Sequence, residues 1–265
     1  MIIDQTLLRE PSEYHLLNSK ATVLTGTQYA IINTRFSHRH SSQLIALNIL
    51  SNTPRLLLSM GSRYPNATLH VLNVLKKSVN PPITTVLLSP KAPHYKSVTE
   101  FAMKHSAWLT HIDFVDDMAT LSVSMILPLA PGSTSWERAC VGLPSIVIAL
   151  ADNQKTICKN LETVGAAISV ELEAISTTLM KAYEQLIADY SKMRTINLQL
   201  CDGQGVKRIM KHITQLFNGS LTLRLATKLD IEQVYAWQCK PETRRYALNK
   251  DVPSLTEHRA WMTKN

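Results

Sequence analysis

The segment Ala130–Pro144 carries the residues of this sequence that are best suited to chemistry on an anionic ligand. Gly132 permits close backbone approach, and Ser133 and Thr134 place hydroxyl groups where a helix is expected to begin. Free backbone N–H groups at such a turn favour a bound phosphate, and the hydroxyls add further donors. Glu137 lies one turn into the helix, where its carboxylate could accept hydrogen bonds from a ribose diol.

A purely structural interpretation of the same residues remains open. Thr134-x-x-Glu137 is also a capping box, in which two side chains satisfy backbone N–H groups at the start of a helix. Because capping boxes are common, this interpretation is favoured on the pattern alone. Pro131, just before the turn, lacks an N–H group and so removes one possible phosphate donor.

Two further loops place polar groups after an expected strand. The loop Ser59–Asn66 contains Gly61 and Ser62, but it lacks the Gly-Lys-Ser/Thr ending of an ATP-binding loop. A simple glycine turn is the more common explanation of that loop. Asn153 and Gln154 could bond a sugar or a pyrophosphate, or they could cap the helix that follows them.

The sequence assigns catalysis to no residue and predicts neither a metal site nor a cofactor. His38-x-His40 resembles a metal pair in spacing only, and surface histidines are the more common explanation. The other histidines considered have no triad context: His15, His94, His105 and His111. The four cysteines form no Cys-x-x-Cys pair, which argues against zinc and thioredoxin-type chemistry and favours reduced, mostly buried thiols.

The elements that must position these residues alternate between strand and helix. Apolar runs predict strands from Arg55 into the Gly61 turn and at Ile83–Pro90, Ala107–Phe114, Met125–Pro131, Pro144–Leu150 and Leu221–Thr227. Helices are predicted at Asn66–Lys77, Tyr95–His105, Asp116–Val123, Ser133–Val141, Asn153–Val164, Ile175–Asp189, Val206–Phe217 and Lys228–Gln238. Residues 1–40 are predicted to be a short element followed by connecting segments. The alternation favours an α/β fold with a parallel sheet, in which ligands bind at the carboxyl ends of strands.

Composition and charge narrow the class of protein. Hydrophobic residues make up 45% of the 265 residues, which is enough for a sizeable core. The net charge of +8 comes from scattered basic residues, so we expect no nucleic-acid partner and favour a small anionic ligand. No secretory h-region and no apolar run long enough to span a bilayer is visible, so we expect a cytoplasmic protein without a membrane partner. The oligomeric state is not predicted.

Five segments in one order resemble a known family: Asp4-Gln-Thr6, Tyr29–Phe36, LLLSMGSRYPN, HIDFVDDM and GSTSWERACVGLPSIVIALADNQ. Together they are similar to the UDP-sugar hydrolase of pseudaminic acid biosynthesis, which has a glycosyltransferase-B-like architecture and releases UDP from a diacetamido-trideoxy-altrose UDP-sugar. The resemblance implies that residues 53–218 form a UDP-binding, Rossmann-like domain with flanking helices, the C-terminal half of that architecture. Residues 1–52 would then be a remnant of the first domain and the interdomain connection.

The resemblance also implies which residues bind UDP. They are Gly61, Ser62, Phe114, Met118, Gly132, Ser133, Thr134, Glu137, Asn153 and Gln154. The turn 132–134 would face the diphosphate, Glu137 the ribose, and the segment 114–118 the uracil. No histidine matches the general base of the family, so we expect the chain alone to bind a UDP-sugar without hydrolysing it.

Residues 219–265 carry a second resemblance. Leu223-Arg-Leu-Ala226, Asp230 and His258-x-x-Trp261 look like the start of a GNAT acetyltransferase, which implies a partial α+β segment without its acetyl-CoA loop. Two alternatives to the hydrolase family therefore stay open. The chain could be a fragment of an amino-sugar N-acetyltransferase fusion, or a non-catalytic module that binds nucleotide-sugars.

Overall fold

The computed structural model describes residues 1–16, 20–46, 54–59, 66–122, 127–129, 132–216, 224–245 and 251–263. The chain divides into two compact units, Met1–His212 and Ile213–Asn265. The predicted domain boundaries, after residues 52 and 218, both fall outside the described residues, so the three-part division remains a prediction. The loop with Gly61 and Ser62 also lies outside them, as does Pro131.

Parallel strands form the centre of the first unit. They are β1 (Ile2–Asp4), β2 (Val23–Thr25), β3 (Leu56–Leu58), β4 (Thr84–Leu87), β5 (Leu109–Ile112), β6 (Leu127–Leu129), β7 (Ser145–Val147) and β8 (Ala167–Ser169). Hydrogen bonds join β3, β4 and β5 in that order, and likewise β6, β7 and β8. Because β3 also contacts β6, the spatial order is β5-β4-β3-β6-β7-β8, and the direction of winding reverses between β3 and β6.

Helices accompany these strands. They are α1 (Thr34–Ile45), α2 (Ala67–Leu75), α3 (Tyr95–Lys104), α4 (Met118–Ser122), α5 (Thr134–Cys140), α6 (Asp152–Thr163), α7 (Ile175–Ala188), α8 (Tyr190–Leu200) and α9 (Gly205–Leu216). The predicted α/β fold with a parallel sheet is confirmed, and the predicted strands and helices between β3 and α7 are confirmed to within a few residues. The short strand β8 and the polar helix α8 were not predicted.

Both faces of the sheet are buried, as the alternation of side chains along β3 illustrates. The residues of β3 are 0–1% exposed. Leu56 and Leu58 pack in one core with α2, α3 and α7, whereas Leu57 packs in a second core with α1, α5 and α6. A parallel sheet covered on both faces in this way leaves the ends of its strands accessible to a ligand.

The segment before β3 is more ordered than the sequence predicts. β1 and β2 pair in parallel, and α1 begins after Asn33, whose side chain accepts a hydrogen bond from the Arg35 N–H at 2.9 Å. The prediction of connecting segments up to residue 40 is therefore wrong over α1. Phe36 and His40, one helical turn apart, are buried. His38 is exposed as expected, but His40 is not, because its Nδ1 lies 2.7 Å from the Cys140 carbonyl oxygen inside the core.

The second unit is helical over its described part. It contains α10 (Ile231–Gln238), α11 (Pro241–Arg245) and α12 (Leu255–Met262). Residues 221–223 of the predicted strand Leu221–Thr227 lie outside the described residues, and residues 224–227 are not a strand. Thr227 instead caps a short 3₁₀ turn, because its side chain accepts a hydrogen bond from the Leu229 N–H at 3.3 Å, while Asp230 accepts one from the Thr227 N–H at 2.7 Å. The partial GNAT segment remains a prediction.

Within the described ranges, no helix has the length and apolar character needed to cross a membrane. The same residues hold no group of three or more His, Cys, Asp or Glu side chains that could bind a metal ion. All four cysteines are free thiols, and three of them are buried, namely Cys140, Cys158 and Cys201.

Candidate functional site

A cleft of about 630 Å³ opens where β3, β4 and β5 end. Its described lining consists of Ser59, Leu87, Leu88, Ser89, Lys91, Ala92, Pro93, Asp113, Phe114, Val115, Met118 and Thr134. These residues follow the carboxyl ends of strands beside the β3–β6 reversal, which is where open α/β sheets bind their ligands. Pockets for small ligands typically enclose about 300–1,000 Å³, so the cleft is large enough for a nucleotide.

The cleft brings together three of the predicted UDP-binding residues. Phe114 follows β5, Met118 begins α4, and Thr134 begins α5. The side chain of Phe114 is 78% exposed, so its ring is accessible to a flat ligand. The structure therefore places an aromatic ring and a hydroxyl group from separate loops in one cavity.

The sequence did not indicate that Ser89, Lys91 and Asp113 line the same cavity. Ser89 and Lys91 come directly after β4, and this position at the end of a buried strand was the signal that could have found them. Asp113 accepts a hydrogen bond from the Tyr95 hydroxyl at 2.9 Å, and this bond raises the pKa of Tyr95. Lys91 contributes an exposed positive charge at the edge of the cleft.

The turn before α5 is not a capping box. The helix already begins at Thr134, and the preceding Ser133 makes no capping hydrogen bond through its side chain. Instead, the Gly132 N–H donates to the Ser135 Oγ at 3.3 Å. The capping-box interpretation of Thr134 and Glu137 is therefore wrong, because Thr134 lies one position too far along the helix to act as the cap.

Glu137 is a partly buried carboxyl group in α5. Burial raises its pKa above the ordinary value of 4.5, and the neighbouring Arg138 opposes this shift only in part. Within the described part of the chain, no hydrogen bond stabilises its carboxylate. Glu137 is thus a partly desolvated carboxyl group, and it does not belong to the described lining of the cleft.

The loop between β7 and α6 places the last predicted residues. Gln154 Oε1 accepts a hydrogen bond from the Leu150 N–H at 2.8 Å, which closes this loop. Asn153 lies in the first turn of α6. Like Gly132 and Ser133, neither residue is among the described lining of the cleft, so their contacts with a ligand stay predictions.

Comparison with known proteins places this arrangement among the glycosyltransferase-B-like folds. No protein-family model and no curated protein matches the sequence. Among solved structures, MurG of Acinetobacter baumannii is similar, with a TM-score of 0.58 and 18% identity over 81% of this chain and 66% of that one. WaaG, a glycosyltransferase involved in lipopolysaccharide biosynthesis, has a TM-score of 0.52 and 13% identity over 80% of this chain and 62% of that one.

A third similar structure carries a ligand. The UDP-GlcNAc 2-epimerase of Neisseria meningitidis bound to UDP-GlcNAc has a TM-score of 0.53 and 17% identity over 77% of this chain and 58% of that one. The chain thus spans less than two thirds of the length of each of these three proteins. At such identities the likeness establishes the fold, which is α/β with parallel strands and flanking helices.

We predict that Glu137→Gln stabilises the protein near neutral pH, because the amide avoids the desolvation of a charge. The raised pKa means that the folded state disfavours the ionised group, so the cost is present at pH values above that pKa and absent below about 4.5. The gain in unfolding free energy over wild type should therefore vanish in acid. Urea denaturation across this pH range measures the gain, and a destabilised Glu137→Gln protein at neutral pH would show that the carboxylate has a structural partner.

Proposed function

We propose that the first unit binds a UDP-sugar in the cleft at the ends of β3, β4 and β5. The observation that carries this proposal is the position of the cleft, at the carboxyl edge of the sheet and beside the point where the winding reverses. A nucleotide bound there would lie against the loops that follow the strands, while the two cores hold the sheet beneath them in place.

The lining suits the uracil and the diphosphate of such a ligand. The exposed ring of Phe114, with Val115 and Met118 beside it, offers an apolar surface for uracil. The Thr134 hydroxyl and the charge of Lys91 offer a donor and a cation for the diphosphate. The bound UDP-GlcNAc of the similar Neisseria meningitidis epimerase supports the same class of ligand.

The narrower proposal is membership of the UDP-sugar hydrolase family of pseudaminic acid biosynthesis, which rests on the motif order alone. Its reaction, attack of water on the anomeric carbon with UDP leaving, requires a base within hydrogen-bonding distance of the water. No histidine is among the described lining residues, and Asp113, the one carboxylate among them, is bonded to Tyr95. We therefore propose a chain that binds the nucleotide-sugar and does not supply the base from this cleft.

The exposed ring of Phe114 can be tested as the surface that stacks on uracil. Phe114→Ala should weaken UDP binding about 5- to 150-fold, since stacking of a base on an aromatic ring contributes roughly 1–3 kcal/mol. Phe114→Trp should retain most of the affinity because it preserves an aromatic face. Isothermal titration calorimetry on the full chain measures both variants.

Met103→Ala is the matched control, because Met103 is a similarly exposed apolar residue, 73% accessible, that does not line the cleft. Its affinity for UDP should equal that of wild type. An absence of UDP binding to folded wild-type protein would contradict the proposal. Unchanged affinity of Phe114→Ala would show that uracil binds elsewhere.

A positioned general base contributes about 10²–10⁴-fold to the rate, so a cleft whose described lining supplies none should release UDP from the diacetamido-trideoxy-altrose UDP-sugar at least about 10²-fold more slowly than a full-length member of the family. NMR detection of free UDP over time measures the rate. Turnover that Asp113→Asn abolishes would contradict the prediction and identify Asp113 as the base.

A further inference from the structure

A buried positive charge lies directly behind the cleft. Arg138 is only 4% exposed, and its guanidinium donates to the Thr134 Oγ1 at 3.3 Å and to the Ser135 Oγ at 3.0 Å. Both acceptors are neutral hydroxyl groups. Among the salt bridges of the described residues, none involves Arg138. A cation in this position has lost its water without gaining a salt bridge among the described residues, and Glu137 supplies only an attraction at longer range.

Such a charge is costly for folding, because burial disfavours the ionised form of any group. Burial accordingly lowers the pKa of Arg138 to about 10, which still leaves the guanidinium charged at neutral pH. Glu137, its neighbour in sequence, is itself partly desolvated. An apolar side chain of similar length would fill the same space without the free-energy cost of desolvating a guanidinium. The stability of the fold therefore does not explain an arginine at this position.

The hydrogen bonds of Arg138 fix the direction in which two hydroxyl groups can donate. A hydroxyl has a single hydrogen, and an arginine can only donate. The Thr134 oxygen therefore acts as the acceptor towards Arg138, and its own hydrogen must point away from the guanidinium. The Ser135 oxygen likewise accepts from both Arg138 and the Gly132 N–H. Since Thr134 lines the cleft, its hydroxyl is available to the ligand as a donor.

We propose that Arg138 is a positioning residue that holds the Thr134 hydroxyl as a hydrogen-bond donor to the cleft, and so selects ligands that place an anionic oxygen against Thr134. This inference rests on the proposed function and deepens it, because it names the part of the ligand that the site discriminates. A nucleoside diphosphate supplies such an oxygen, whereas a neutral nucleoside does not. The positive charge behind the hydroxyl strengthens this preference, because few water molecules screen it.

The test compares three ligands on the full chain: UDP, uridine and inorganic pyrophosphate. Arg138→Met should bind UDP and pyrophosphate at least about tenfold more weakly than wild type, the loss expected for a charge-supported hydrogen bond. Its affinity for uridine, measured by NMR titration, should be unchanged. Arg138→Lys should recover part of the loss, since it restores a cationic donor. A merely structural role would instead change the affinity for all three ligands together.

Substitutions at Thr134 provide the matched controls. Thr134→Val should lose the same selectivity as Arg138→Met, whereas Thr134→Ser, which keeps the hydroxyl, should retain it. In the double variant Arg138→Met/Thr134→Val the losses of binding free energy for UDP should not add, because both changes remove the same interaction. If Arg138→Met does not fold, Arg138→Lys and Thr134→Val decide the question in its place.

The outcomes separate this inference from the proposed function. Equal UDP affinity in wild type, Arg138→Met and Thr134→Val would overturn the role of Arg138 and leave the UDP site intact. Pyrophosphate binding that depends on Arg138, without binding of UDP or uridine, would support the role of Arg138 and overturn the nucleotide site. A wild-type chain that binds neither UDP nor pyrophosphate would overturn both.

Discussion

Burial of both faces of the central parallel sheet is the constraint on which the rest of the first unit depends. The three leucines of β3 are almost wholly inaccessible, and burying each contributes about 1.5–3 kcal/mol relative to leaving it exposed. Their side chains alternate between two cores, so helices must cover both faces of the sheet. Each parallel pair then needs a crossover, and the loops that follow the strands collect at one edge. A ligand cleft at that edge follows from the same geometry.

The helix α5 links this core to the cleft. Its Trp136 and Ala139 pack in the core that also contains Leu57, which holds the start of the helix in place. On the same short helix, Glu137 is partly desolvated and Arg138 is fully buried, while Thr134 lines the cleft. Two charged groups that folding desolvates thus lie beside a residue that a ligand can contact. Desolvated charged groups with shifted pKa values are typical of sites that bind charged ligands.

Much of the fold could be predicted from the sequence, because apolar runs such as Ile83–Pro90 are long and bounded by turn residues. The helix α1 could not, since only Phe36 and His40 of its largely polar sequence are buried. The capping box predicted at Thr134 does not form because α5 already begins at Thr134, and sequence patterns locate helix ends only to within a residue or two. The part played by Asp113 in the cleft could not be predicted either, because it depends on the pairing of β4 with β5.

The most direct test of the account is the location of UDP on the folded chain. An NMR titration of isotope-labelled protein with UDP should shift the amide signals of Ser89, Phe114 and Thr134, which lie at the carboxyl ends of the strands. The signals of Gly165 and Lys192, which line a separate groove beside β8, should stay in place. Shifts confined to Gly165 and Lys192, or no shifts at all, would contradict the claim that the carboxyl edge of this sheet is a nucleotide site.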